Sequence, residues 1–115
     1  MSSETIFSKI IKREIPADIL FENESVLAFK DISAQAPHHI LVVPKKPLKG
    51  LADASSADKD LLGEMLLAVA AIARELGLEA SGYRVVINNG AGAGQTVFHL
   101  HMHLLAGRAF NWPPG

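Results

Sequence analysis

The sequence predicts an α+β fold: a five-stranded, mostly antiparallel sheet packed with two helices. Three observations carry this. Residues His99 to Leu105 alternate strictly between polar and apolar, the period of a strand with one buried face. From Ser55 to Leu76 the pattern turns helical, with Leu61, Leu62, Met65, Leu66, Val69, Ile72, Ala73 and Leu76 on one broad stripe. The other apolar runs are short and bounded by turn residues, so strands return as hairpins.

The elements follow in order. Ile6, Phe7, Ile10 and Ile11 form a short amphipathic helix, capped by Ser3 or Thr5 and stopped before Pro16. Asp18 to Glu22 and Val26 to Lys30 are β-rich runs that turn through Glu22-Asn23-Glu24-Ser25, a hairpin. After the turn-rich Asp31 to Pro37 comes His38-His39-Ile40-Leu41-Val42-Val43, a nearly continuous apolar strand closed by Pro44-Lys45-Lys46-Pro47. Adjacent side chains on a strand face opposite ways, so only one of His38 and His39 joins any given face. Lys45 and Lys46 read as a solvated strand end. The long helix stops at Gly77-Leu78, which suits a C-terminal cap. Its stripe is wide enough to cover a sheet and to meet a partner as well. Tyr83 to Asn88 is the fourth strand, linked to the histidine strand by Asn89-Gly90-Ala91-Gly92-Ala93-Gly94-Gln95.

A chain of 115 residues with 49% hydrophobic and 20% charged residues is expected to form one domain, residues 1–115, with a core that needs no staples. Cysteine is absent, which removes disulfides and thiolate metal sites and fits a cytoplasmic protein. The formal net charge is −1 without a long basic run, so no nucleic-acid partner is expected. No apolar run approaches the ~20 residues of a membrane span, and Met1 to Glu4 has no basic leader region, so neither membrane nor secretion is expected.

Three of the five histidines, His99, His101 and His103, occupy i, i+2, i+4 positions. On an extended strand they project from one face while Leu100, Met102 and Leu104 pack inward. Two chemistries want such a row. Imidazole is a common metal ligand, but His99 and His103 would lie about 13 Å apart along a strand rising ~3.3 Å per residue. Three such ligands converge poorly on one tetrahedral ion. Nucleophilic catalysis on phosphorus employs all three: the central ring attacks while its neighbours orient it, bind oxygens or protonate a leaving group. No metal or other cofactor is expected on that reading.

Gly90, Gly92 and Gly94 match a dinucleotide fingerprint only weakly, because a strand follows where a helix is required. The bland reading is a flexible hairpin loop. The functional one brings backbone N–H groups to a phosphate, with Gln95 and Thr96 adding side-chain donors.

These residues resemble the histidine triad family. The motif is His99-x-His101-x-His103 followed by Leu104-Leu105. Family spacing also holds for Ile6-Phe7-x-Lys9-Ile10-Ile11, Glu14-Ile15-Pro16-Ala17, Ala28-Phe29-x-Asp31-Ile32, Ala36-Pro37-x-His39, Gly94-Gln95-Thr96-Val97-Phe98-His99 and Trp112-Pro113-Pro114-Gly115. The opening and tail are similar to the Hint branch, the histidine triad nucleotide-binding proteins. They differ from the diadenosine polyphosphate hydrolases, and a third histidine in place of glutamine differs from the nucleotidyltransferases.

The resemblance implies a homodimer whose two sheets join into one, with a purine nucleotide (AMP- or GMP-type) site in each protomer. It implies hydrolysis of purine nucleoside 5′-phosphoramidates at the P–N bond. His101 would be the nucleophile, with His39, His99 and His103 completing the catalytic set. Asp31 would bind ribose hydroxyls and Ile32 the nucleoside. Asn88, Gly94, Gln95 and Thr96 would join His103 around the phosphate, and Val97 would also bind the substrate. His38 stands where relatives often have a small residue and should face away. Thr96 replaces a frequent serine, keeping the hydroxyl while stiffening χ1.

The chemistry expected is double displacement. A neutral imidazole attacks, its other nitrogen held by a backbone carbonyl. His103 or a Thr96 relay protonates the departing amine, and water then cleaves the phospho-histidine bond. Two other readings are a nucleotide-binding or protein-interaction module and a metal-binding protein.

Overall fold

The computed structural model of the chain describes residues 4–115; Ser3, the alternative helix cap, and the start of the expected leaderless N-terminus lie outside them. The elements are α1 (Ile6–Ile11), β1 (Ile19–Glu22), β2 (Val26–Lys30), β3 (His38–Pro44), α2 (Lys59–Glu75), β4 (Arg84–Val86) and β5 (Met102–Ala106). They form one five-stranded sheet in the order β1-β2-β3-β5-β4, with every neighbouring pair antiparallel. The α+β class, the two helices and the five strands agree with the sequence-based reading. Among the described residues no helix is long and apolar enough to cross a membrane.

Thr5 caps α1. Its side chain accepts from Ser8 N–H at 3.2 Å, and Ser8 Oγ lies 2.7 Å from Thr5 N, a reciprocal capping box. The helix turns Phe7 and Ile10 inward against Leu27, Phe29, Leu41 and Val43. The opposite face of the sheet carries Val26, Ala28, Ile40, Val42, Met102, Leu104 and Ala106. There α2 covers it with Met65, Ala68, Val69, Ile72 and Ala73. Both faces of β2 and β3 are therefore buried, which explains why β3 reads as an unbroken apolar run rather than an alternation.

The long helix starts four residues later than its sequence pattern. Ser55 to Asp58 is spent on a tight turn, in which Ser55 N–H donates to Asp58 Oδ2 at 2.9 Å. Asp58, 3% exposed, also holds Lys46 Nζ at 2.5 Å, and Lys45 pairs with Glu22 at 2.7 Å. Both lysines are tied down rather than simply solvated. At the other end Gly77 takes φ 71°, and Leu78 N–H reaches back to Ala73 O at 2.8 Å, closing the cap that Gly77-Leu78 suggested.

The histidine strand is shorter than expected. The ladder begins at Met102, opposite Val42, and the same register would put Leu100 opposite Pro44. Proline has no N–H to give a further rung, so β3 and β5 part there. Leu100 N–H instead donates to Leu48 O at 2.7 Å, outside the sheet. His99 and His101 thus precede β5 and only His103 lies on it. Leu100, Met102 and Leu104 are buried as expected, but His99 and His101 are buried too, at 2% and 6% exposed, beneath α1.

Gly107 follows β5 with φ 96°, and a Cβ there would stand 2.7 Å from Pro37 Cβ. Gly107→Ala should therefore cost about 2 kcal/mol or more, from the left-handed backbone and the collision together. Urea denaturation would measure it; a loss under 0.5 kcal/mol would show that the Pro37 loop yields freely.

Candidate active site

Four imidazoles from β3, β5 and the segment before β5 meet under α1. On the antiparallel pair His39 is opposite Leu105, which makes His39 and His103 diagonal neighbours on one face. His39 Nε2 and His103 Nδ1 are 2.9 Å apart. The rings of His101 and His103 lie with centroids 5.0 Å apart, and Phe7 stands edge-on to His101 at 5.0 Å and to His99 at 6.4 Å. His38 falls on the other face, beside Leu20 and Leu76, away from this cluster.

The hydrogen-bond partners fix where the ring protons sit. His101 Nδ1 is 2.7 Å from His99 O, an acceptor only, so Nδ1 carries the proton and Nε2 keeps its lone pair. His99 Nε2 donates to Pro44 O at 2.7 Å, which bolts the segment carrying that carbonyl to the end of β3. Gln35 N–H donates to His39 Nδ1 at 3.0 Å, so the proton of neutral His39 is on Nε2 and points at His103 Nδ1. Asp31 Oδ2, 3.4 Å from His39 Nε2, favours the same form. His103 is then left with its proton on Nε2, a buried nitrogen without a hydrogen-bond partner among the described residues.

Burial disfavours the charged form of His39, His99 and His103. Desolvation pushes His103 down to about 4, aided by His101 and His39 and opposed by Asp31. His39 is lowered by desolvation against the pull of Asp31. His99 is lowered by desolvation against its bond to Pro44.

Asp31 also binds Ser33 N–H through Oδ1 at 2.8 Å. It stands between the imidazoles and a small slot walled by Ile6, Phe7, Ile10, Phe29, Ile32 and Leu41. Ile32 is almost fully exposed at the rim. Val97 packs against the apolar group that includes Phe7, and Thr96 is exposed beside it.

Gln95 departs from its expected role as a side-chain donor to phosphate. It is 4% exposed, its Oε1 accepts from Gly90 N–H at 2.7 Å, and its Nε2 donates to Lys49 O and Val97 O. Both amide protons are spent on backbone carbonyls outside the glycine loop, while the amide oxygen holds its first glycine. The N–H groups of Gly94 and Gln95 likewise close turns onto Ala91 O and Gly90 O. Asn88 is half-buried just beyond β4, outside the imidazole hydrogen bonds, while its neighbour Asn89 accepts Ala52 N–H at 2.8 Å.

Sequence reasoning missed Gln35 and Pro44, which act through their backbones and leave no side-chain signature. Phe7, which the sequence placed only on the apolar face of α1 and in a family block, stands edge-on to two of the imidazoles.

Asp31, His39 and His103 each place a ligand atom within 4.8 Å of the others, the spacing of a metal site. The donor set does not fit an ion. Ligation through His39 Nε2 would move its proton to Nδ1, setting two donors against each other at the 3.0 Å contact with Gln35 N–H.

The depressed histidines give stability a sign. Between the ordinary value of 6.5 and about 4 the unfolded chain binds a proton at His103 that the folded chain refuses. Stability from this source is full above pH 6.5 and falls on acidification. The urea midpoint of the parent minus that of His103→Asn should shrink as pH falls from 6.5 to 4. A constant difference would contradict a neutral His103.

The HIT domain model matches residues 12–110. A protein of Zea mays named a 14 kDa zinc-binding protein is 53% identical, covering 98% of this chain and 89% of its own. A HIT family hydrolase from Legionella pneumophila superposes with TM-score 0.95 at 45% identity, over 97% of this chain and all of that one. A histidine triad nucleotide-binding protein from Candida albicans superposes with TM-score 0.83 at 34% identity, over 96% of this chain and 83% of that one. With four imidazoles gathered on this sheet, these matches leave one assignment: the chain belongs to the HIT domain family.

Proposed function

We propose that this protein is a hydrolase of the Hint type, which cleaves the P–N bond of purine nucleoside 5′-phosphoramidates through a nucleotidyl-histidine intermediate. The observation that carries the reading is the fixed tautomer of His101. Its Nδ1–H is held by His99 O, so Nε2 offers a lone pair without needing a base. The names of the Legionella and Candida proteins, a hydrolase and a nucleotide-binding protein, support the class.

In the first step His101 Nε2 forms a bond to phosphorus as the P–N bond breaks. His103 Nε2–H donates to a phosphoryl oxygen and stabilises the charge that develops there. A ring held near 4 is neutral at pH 7, so His103 is a hydrogen-bond donor rather than the acid. Of the two expected proton routes to the amine, the Thr96 hydroxyl relay from solvent is therefore preferred. Water then attacks phosphorus, the P–Nε2 bond breaks, and nucleoside monophosphate leaves with His101 restored. The phosphate is bounded by Thr96 and Val97 on one side and His103 on the other. Asn88, Gly94 and Gln95 act one layer out, by setting the loop. The slot beside Asp31 takes the purine nucleoside, with the Asp31 carboxylate on the ribose hydroxyls and Ile32 against the base.

The active form on this reading is a homodimer in the cytoplasm, in keeping with a chain without cysteine. Support comes from β4 at the sheet edge, with Val85 and Tyr83 half-exposed, and from Leu66 and Leu67 exposed on α2. A second copy would cover an apolar surface that this chain leaves open.

His101→Asn should keep the fold and lower kcat by about a thousandfold or more, as loss of a covalent nucleophile does. Mass spectrometry of parent protein quenched early in turnover should show adenylate on His101. Turnover within tenfold of the parent would refute the nucleophile assignment.

The tail supplies a second test. Asn111 O accepts from Arg84 at 2.9 Å and Phe110 lies between Arg84 and Arg108, so the chain is held up to there. Trp112, 83% exposed, extends past it and would lie near the partner's substrate entrance in the dimer. Deleting residues 111–115 should alter the ratio of kcat/KM for two phosphoramidates with different amines. An equal loss for both would make the tail structural only.

A further inference from the structure

We propose that the backbone N–H of Gln35 is a positioning group for the active site: it sets the tautomer of His103 at one remove and so decides whether the phosphate meets a donor or a lone pair. The proposal rests on the phosphoryl-transfer reading above and adds a residue to it. Gln35 N–H reaches His39 Nδ1 at 3.0 Å, and an N–H can only donate. His39 must accept there, so its own proton is on Nε2 and is given to His103 Nδ1 at 2.9 Å. His103 Nδ1 is consumed as an acceptor, which leaves the His103 proton on Nε2, buried and without a partner among the described residues.

The opposite arrangement is the informative contrast. With His39 protonated on Nδ1, its Nε2 would accept from His103 Nδ1–H, and His103 Nε2 would present a lone pair. A lone pair repels a phosphoryl oxygen where a donor stabilises it. The two states differ only in the placement of two protons, and the ring positions are the same in both. What separates them is the conflict of two donors at Gln35, so the choice is made outside the imidazoles.

The loop is built to hold this N–H in place. Asp31 Oδ1 accepts Ser33 N–H at 2.8 Å, and the Gln35 side chain donates to Ser33 O at 2.9 Å. From the strand β5 side, Arg108 Nε donates to Gln35 O at 3.0 Å. Gln35 is thus clamped from its own loop and from the segment that follows the histidines.

The test uses full-length protein labelled with 15N at histidine. Long-range ring 1H–15N correlations report which nitrogen of each imidazole carries the proton. The unmodified protein should show Nε2–H at both His39 and His103, and Nδ1–H at His101. A second protein, assembled by chemical ligation with an ester linking Ala34 to Gln35, lacks only that N–H. It should show mixed tautomers at His39 and His103, an unchanged His101, and kcat lowered about tenfold, the scale of one lost positioning hydrogen bond. Nδ1–H at His103 in the unmodified protein would overturn the proposal. So would an ester variant with slower turnover but unchanged rings, because the N–H would then be only structural. The spectra are recorded without substrate. If the protein fails to cleave an adenosine phosphoramidate while the tautomers are as stated, the reaction is misassigned and the positioning role survives.

Discussion

The antiparallel pairing of β3 with β5 is the constraint on which the rest depends. It is one of the two inner ladders of the sheet, and its register sets Ile40 opposite Leu104 on the face that α2 covers. The same register sets Leu41 opposite His103 on the face beneath α1. A slip of β5 by one residue would turn its side chains over, sending His103 into the apolar layer under α2 while His39 stayed beneath α1. Hydrophobic matching on one side therefore enforces the imidazole arrangement on the other. The hydrogen bond from His39 to His103 is read out of a register that packing has already decided.

The cluster is held by backbone groups more than by other side chains. Pro44 O, His99 O and Gln35 N–H each take one imidazole nitrogen, and apart from proline at position 35 no side-chain change removes any of the three. Backbone partners of this kind are already in place before a ligand arrives and cost no reorganisation. The arrangement also explains why a cluster with the composition of a metal site is ill suited to one. Every imidazole proton has been assigned by a neighbour, and metal ligation would require one of them to move.

The sequence displayed the sheet, the two helices and the gathering of histidines because each leaves a periodic or compositional trace. His99, His101 and His103 stood out by spacing, and His39 by the blocks around it. The loss of the strand at His99 to His101 was not legible from that alternation, since it arises from a proline on a different strand. The work done by Gln95 was equally hidden. A glutamine beside a glycine loop reads as a donor to a ligand. Only the folded geometry reveals that Gly90, Lys49 and Val97 have used its three polar contacts. Gln35 and Pro44 contribute only main-chain atoms, which every residue possesses and no pattern marks.

Helix α1 covers His99 and His101 with a single ring, Phe7, and is only six residues long. A helix of that length does not persist alone in water, whatever its capping, so its order is borrowed from Phe7 and Ile10 seated on the sheet. The cover over the imidazoles is therefore among the first parts of the molecule to open, well before the sheet does. Amide hydrogens in α1 will exchange faster than those of β3 and β5, and each opening admits water to His99, whose proton affinity is lowered by burial. On warming, the cover over the imidazoles is lost while the sheet beneath it is still intact.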